Sequence, residues 1–299
     1  MRAALRLLLA ASVLVAAGCG DAPAAPDALP PSPSISTLSP LPMPDTGPPA
    51  GEVVADLRQS SRDAALGRFQ VWVGNGLGEP VTPTSVSYVD PRFRGPLPGG
   101  RLREIPAGSE RGFTLAQPSR PACGAGAGQA RLLLGWAGRR LVVPVEDEAD
   151  VVDRYVTGRC LELDVARVAR LSFAEEVRSV GGEGAPGTLV LVVEPTGRAT
   201  ERGSRLTIDT VTGTPVLTAA GQSFWSPGVT VRSDGPRVAV PLTVQPARCD
   251  GHVFAESGGA TAFRVRLTLD GEPGELVVRM SPAGAAAALA FARESCGLN

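Results

Sequence analysis

The side chains that could do chemistry are unevenly supplied in this sequence. The chain has a single histidine, His252, and no lysine, because all 29 of its basic residues are arginine. Without lysine there is no Walker-type phosphate loop, no Ser-x-x-Lys acyl-enzyme site and no Schiff base. A Ser-His-Asp triad would have to use His252, and no Gly-x-Ser-x-Gly motif supplies its serine. The sequence therefore predicts no catalytic residue, and His252 is interpreted as a loop residue.

Acidic segments and glycine runs are the remaining places where a metal or cofactor could bind. The acidic residues of 146–153 lack the spacing of a calcium loop and are interpreted as a solvated loop. The glycine runs 74–78 and 124–128 do not stand at the strand-to-helix turn of a nucleotide fingerprint. Closely spaced His and Cys ligands for zinc are missing. We therefore predict no metal and no cofactor. A carboxylate pair for glycoside hydrolysis is defined by its separation in space, so that alternative stays open.

Four of the five cysteines belong to a sequence repeat. A short apolar run followed by Gln-Pro, an arginine and a cysteine occurs in 113–123 and again in 242–249, and one more cysteine follows each copy. We predict two disulfides, Cys123–Cys160 and Cys249–Cys296, each closing a loop of about 40 residues and contributing about 3–4 kcal/mol in the chain-entropy model. Crossed pairing between the two copies is the alternative.

The fifth cysteine, Cys19, follows a segment with the features of an export signal. Arg2 and Arg6 precede a short apolar run, 7–17, which is too short to span a bilayer. The segment ends in Val-Ala-Ala-Gly-Cys, which resembles the lipobox of bacterial lipoproteins. The resemblance implies cleavage before Cys19 and a diacylglyceryl group on its thiol. The alternative is an ordinary secretory leader that is cut between Ala17 and Ala25.

The segment after the leader is predicted to be a tether. Residues 19–50 are rich in Pro, Ala, Ser and Asp, with little to bury, so we expect a disordered and extended chain. The arrangement of leader, lipobox, tether and β-rich units resembles bacterial surface lipoproteins, especially the arginine-rich, lysine-poor ones of high-GC Gram-positive bacteria. This resemblance implies a lipid anchor on the extracytoplasmic face of the cell membrane. A lipidated Cys19 also leaves an even number of cysteines for pairing.

The remaining chain predicts two β-rich units, 51–164 and 165–299, after the signal peptide 1–18 and the tether 19–50. Apolar residues alternate in short segments such as 69–73, and about seven such segments occur in each unit with turn signals between them. This pattern predicts an all-β fold of two tandem immunoglobulin-like β-sandwich domains. We expect a hinge near 160–169.

The function suggested by the sequence is a non-enzymatic binding or scaffold module. A net charge of −1 without a basic patch argues against nucleic-acid binding. Trp72 and Trp225 are candidates for a surface that contacts an envelope protein or a glycan, although packing in the core or between domains is the favoured reading. An accessory enzyme or carbohydrate-binding protein of the envelope, using carboxylates and exposed aromatics, is the alternative function. A purely structural spacer is the third.

Overall fold

The computed structural model describes residues 47–126, 128–197, 203–255 and 260–298. Within these ranges the chain is mainly β-strand, arranged in two successive β-units, which confirms the predicted all-β class. The leader, Cys19 and the tether up to residue 46 lie outside the described residues.

The first β-unit contains seven strands and a short helix. Its elements are β1 (Val53–Arg58), α1 (Ser61–Ala65), β2 (Arg68–Asn75), β3 (Ser85–Val89), β4 (Leu97–Gly100), β5 (Ser109–Ala116), β6 (Arg131–Trp136) and β7 (Arg139–Glu146). The strands are hydrogen-bonded in the order β1-β2-β5-β4-β3-β6-β7, and parallel pairing of β1 with β7 closes them into a barrel. Immunoglobulin constant-type domains use the same order, with the first, second, fifth and fourth strands in one sheet and the others in the second.

The second β-unit contains two sheets that share one core. Its strands are β8 (Ala169–Ser179), β9 (Gly187–Pro195), β10 (Arg205–Thr212), β11 (Leu217–Ala219), β12 (Phe224–Trp225), β13 (Val229–Arg232), β14 (Val238–Pro246), β15 (Ala262–Leu269) and β16 (Glu272–Arg279). One sheet has the order β11-β14-β9-β8, and the other has the order β12-β10-β15-β16 with β13 also paired to β10. Apart from β12 and β13, this repeats the strand order of the first β-unit.

Alternating apolar residues build each core, as the sequence predicts. In β2 the side chains of Phe69, Val71 and Val73 are fully buried, and in β9 those of Leu189 and Leu191 are fully buried as well. Because each buried Val, Leu or Phe side chain contributes about 1.5–3 kcal/mol, such strands stabilise the fold despite the shortage of aromatic residues.

A single helix, α2 (Val151–Val168), connects the two β-units. Its first half contributes Val151, Val152 and Val156 to the first core, and its second half contributes Val165 and Val168 to the second core. The helix runs directly into β8, so the predicted hinge at 160–169 is wrong. The predicted boundary between 164 and 165 falls inside this helix.

The start of α2 depends on one residue of the acidic segment. The two carboxylate oxygens of Asp147 accept hydrogen bonds from the backbone N–H groups of Val151 at 2.7 Å and Val152 at 2.9 Å. A carboxylate at this position satisfies helix N–H groups that have no partner within the helix. Segment 146–153 was expected to be a solvated loop; residues 147–150 form such a turn between β7 and α2, whereas Glu146 ends β7 and 151–153 begin α2.

Both predicted disulfides are present, and they occupy equivalent places. Cys123–Cys160 joins the segment after β5 to α2, and Cys249–Cys296 joins the segment after β14 to the residue that ends helix α4 (Pro282–Ser295). A short helix, α3 (Gly251–Ala255), follows Cys249. Each disulfide therefore fixes the helix that follows the last strand of its β-unit.

Candidate functional site

A cleft of about 770 Å³ opens in the second β-unit between α2 and strand β16, and we call it the α2–β16 groove. Its apolar part includes the buried or half-buried side chains of Val165, Leu171, Leu276 and Val278 and the exposed side chain of Val277. Four exposed charged residues also line it: Glu162, Arg170, Glu194 and Arg279. A mostly preformed cleft with an apolar part and a few polar groups is the usual form of a binding site.

The groove exists because two sheet edges remain unpaired with each other. β8 and β16 are the terminal strands of their sheets, and no ladder joins them among the described residues. In the first β-unit the corresponding edges, β1 and β7, pair in parallel through Ala55 with Val145 and Asp56 with Glu146. The paired residues of β7 correspond to Met280 and Ser281, directly after the stretch of β16 that lines the groove, so the described part of the second β-unit lacks the ladder that closes the first.

Helix α2 and the start of α4 limit the groove. α2 lies directly on β16, since a methyl group added at Gly274 would stand 2.5 Å from Cδ2 of Leu161. Farther along, the hydroxyl of Ser281, the residue before α4, donates to Oε1 of Glu175 in β8 at 3.0 Å. The groove is the space that remains between these two contacts.

The charged side chains around the groove balance in sign, and most of them have no partner in the described part of the chain. Two carboxylates and two guanidinium groups line it, so their formal charges cancel. Glu162 forms an ion pair with Arg159 at 2.6 Å. The side chains of Arg170, Glu194 and Arg279 form no hydrogen bond or ion pair with the described part of the chain. This arrangement favours a ligand that carries both signs of charge over a simple anion or cation.

Trp72 lies on the outer face of β2, opposite the buried residues, as the alternation predicts. Its half-buried ring is covered by Arg58, whose guanidinium carbon is 4.7 Å from the ring centroid. Hydrogen bonds to Glu110, at 2.7 and 3.0 Å, hold Arg58 in place and raise the pKa of its guanidinium group. A cation over the ring is a stabilising contact in itself, so this face of Trp72 is already occupied.

Trp225 is also engaged within its own β-unit. Its indole N–H donates to the backbone oxygen of Thr243 at 2.7 Å, and its ring centroid lies 6.4 Å from that of the buried Phe263. The side chain packs against the second core. This geometry corresponds to core packing, which was the favoured reading of Trp225.

The other residues that could do chemistry do not come together in one site. His252 is exposed on the short helix α3, and the neighbouring Asp250 forms an ion pair with Arg248 at 2.8 Å. In the ranges that the structure describes, no three His, Cys, Asp or Glu side chains come together in a way that could hold a metal ion. No helix in those ranges is long and apolar enough to span a bilayer.

The sequence did not point to the α2–β16 groove. Its charged residues lie at positions 162, 170, 194 and 279, so only the pairing of distant strands brings them together. Leu-Val-Val occurs in the last strand of each β-unit, at 141–143 and 276–278, but it also occurs in β9 at 191–193, so it gave no local signal for the groove.

Comparison with known proteins gives no family for this chain. No family model matches it, and no curated protein matches it. Among solved structures, red sea bream transglutaminase is 12% identical, with 77% of this chain and 31% of that chain covered and a TM-score of 0.21. The BSP domain of a biofilm-associated protein is 10% identical, with 79% and 60% covered and a TM-score of 0.19. The D0-D1 domain of intimin is 12% identical, with 77% and 98% covered and a TM-score of 0.18. TM-scores this low support no inference about this chain.

Proposed function

We propose that this protein is a lipid-anchored module of the extracytoplasmic face of the membrane, and that it binds another protein through the α2–β16 groove. The observation that carries the proposal is the groove, an open cleft of about 770 Å³ between sheet edges whose counterparts in the first β-unit are joined. Its volume lies in the range of small-ligand sites.

Within this proposal the two β-units are duplicated immunoglobulin-like domains. The shared strand order, the equivalent disulfides and the helix after each last strand support a duplication. Because α2 contributes to both cores, the pair forms a rigid support for the groove.

Two observations support the location. The two disulfides are typical of proteins that fold in an oxidising compartment. The lipobox-like segment before Cys19 supports anchoring of the exported chain through lipid on that cysteine.

A protein ligand fits the groove better than a glycan. Sugars commonly stack on exposed aromatic faces, and no aromatic side chain lines the α2–β16 groove. Trp72 is covered by Arg58, and Trp225 packs against the second core.

The test is site-specific photo-crosslinking of the full-length protein in its own cells. A photoreactive residue at Ala166, exposed in the groove, should form an adduct with a protein, while one at Thr157, exposed on the same helix outside the groove, should not. Equal adducts at both positions, or none at Ala166, would contradict the proposal. An adduct with a glycan at Ala166 would support the carbohydrate-binding alternative instead.

A further inference from the structure

We infer that the partner binds by strand addition, so that an extended segment of the partner protein pairs in parallel with β16 inside the α2–β16 groove. This inference rests on the proposed function and adds the form of the bound segment. Three observations carry it: the free edge of β16, the pairing seen at the equivalent edge, and the chemistry of the groove.

The first observation is the free edge of β16. Over residues 272–279 the strand pairs with β15 on one side, and in the described parts of the chain no strand is hydrogen-bonded to its other side, where β8 comes near it without forming a ladder. Unpaired backbone N–H and C=O groups along such an edge form a template for another strand. The stretch 276–279 of this edge lines the groove.

The second observation is that the first β-unit already contains such a pairing. β7 is the counterpart of β16, since each is the last strand of its β-unit and each pairs antiparallel with the strand before it. β1 pairs in parallel with β7 at Val145 and Glu146, which correspond to Met280 and Ser281, directly after the stretch 276–279 that lines the groove. In the second β-unit the corresponding strand, β8, forms a ladder with β9 and none with β16 among the described residues.

The third observation is the match between the groove and a strand of the β1 type. β1 buries Ala55 and Leu57 on one face, and on the other it carries one acid, Asp56, and one base, Arg58. The groove offers apolar side chains together with two carboxylates and two guanidinium groups. A segment that alternates apolar residues with residues of both charges can therefore bury one face and pair the other.

The experiment uses the full-length protein and a labelled synthetic peptide with the sequence of residues 52–59, Glu-Val-Val-Ala-Asp-Leu-Arg-Gln. A scrambled peptide of the same composition is the control. We expect the β1 peptide to bind at least about tenfold more tightly than the scrambled peptide, as measured by fluorescence anisotropy. Hydrogen exchange should show new protection of those backbone amides in 276–279 that point away from β15.

Two variants test the groove side of α2 separately from the rest of the helix. Ala166→Trp fills the groove and should weaken peptide binding at least about tenfold, whereas Thr157→Trp on the same helix should leave it within about twofold. Thermal unfolding of both variants checks that they fold. The exchange measurement on the unaltered protein tests the inference even if Ala166→Trp does not fold.

The inference is overturned if the β1 peptide does not bind, if the scrambled peptide binds equally, or if protection appears elsewhere than in β16. Protection in β7 would mean exchange with the protein's own β1, and peptide-induced loss of a dimer would mean that a second copy occupies the groove. If crosslinking at Ala166 still captures a protein while β16 stays unprotected, the proposed function stands and strand addition alone fails.

Discussion

At the scale of single residues, the buried ion pair of Asp90 and Arg92 lies at one end of the first β-unit. The carboxylate of Asp90, a residue 2% exposed, accepts hydrogen bonds from the backbone N–H, Nε and Nη2 of Arg92 at 2.8–2.9 Å and from the Tyr88 hydroxyl at 3.0 Å. Burial by itself would raise the pKa of Asp90, but the hydrogen bonds from Arg92 outweigh it and lower the pKa. Arg92 also approaches Asp153 in α2, at 3.7 Å, and so links the barrel to the helix.

We predict that Asp90→Asn destabilises the protein strongly. The substitution leaves the guanidinium of Arg92 buried without its main counter-charge, which should lower the free energy of unfolding by about 3–5 kcal/mol. Urea unfolding measures the change. The matched control is Glu176→Gln, which removes an exposed ion pair with Arg178 and should change stability by less than about 0.5 kcal/mol. Equal effects of the two substitutions would contradict the prediction.

The pKa of Asp63 predicts how the stability of the protein changes in acid. Burial raises the pKa of this carboxyl group, but hydrogen bonds from Ser60, Arg68 and Gln70 outweigh it and lower the pKa from 3.8 to about 2. Because the folded state binds this proton more weakly than the unfolded state, the contribution to stability is complete above pH 3.8 and is lost as the pH falls through about 2. The melting temperature of Asp63→Asn should therefore lie below that of the unaltered protein near neutral pH and approach it near pH 2. A gap that does not change with pH would count against this account.

At the scale of elements, the contact of α2 with β16 depends on a glycine. A methyl group on Gly274 would stand 2.5 Å from Leu161, whereas a methyl group on Gly158, inside α2, would meet nothing within 4 Å. The same substitution should therefore have opposite effects at the two positions.

We predict that Gly274→Ala destabilises the protein by about 1–3 kcal/mol through overpacking, and that Gly158→Ala stabilises it by about 0.5–1 kcal/mol by favouring the helix. Chemical denaturation of both variants measures these changes. Combining Gly274→Ala with Leu161→Ala should recover part of the loss, because the clashing side chain is removed. Gly274→Ala that is equally destabilising in the Leu161→Ala background would show that the helix contact is not the cause.

The sequence correctly predicted those strands whose residues alternate locally between two faces. β2 over 68–73 and β9 over 187–191 alternate between buried and half-buried residues, so their period identifies them. α2 was missed because its valines at 151, 152 and 156 serve one core and those at 165 and 168 serve another, so they do not form one continuous stripe. Valine also favours strands. The groove was missed because strand pairing between distant segments creates it.

At the scale of the whole molecule, anchoring through Cys19 remains a prediction about a residue outside the described ranges. Replacing Cys19 with alanine should abolish incorporation of a fatty-acid label and release the protein into the medium, because no acyl chain would then hold it. Fractionation of cells that express the full-length chain measures the distribution. Unchanged retention in the membrane fraction would rule out lipidation as the anchor.

The two disulfides have a consequence for how the chain matures. Each joins cysteines that are consecutive along the chain, Cys123 with Cys160 and Cys249 with Cys296. If the chain crosses a membrane from its N-terminus, oxidation in order of emergence gives the native pairs without reshuffling. Cys19 is the thiol that precedes both pairs, and it would be the first competitor for Cys123. Its acylation would therefore protect the fidelity of oxidation as well as hold the protein at the membrane.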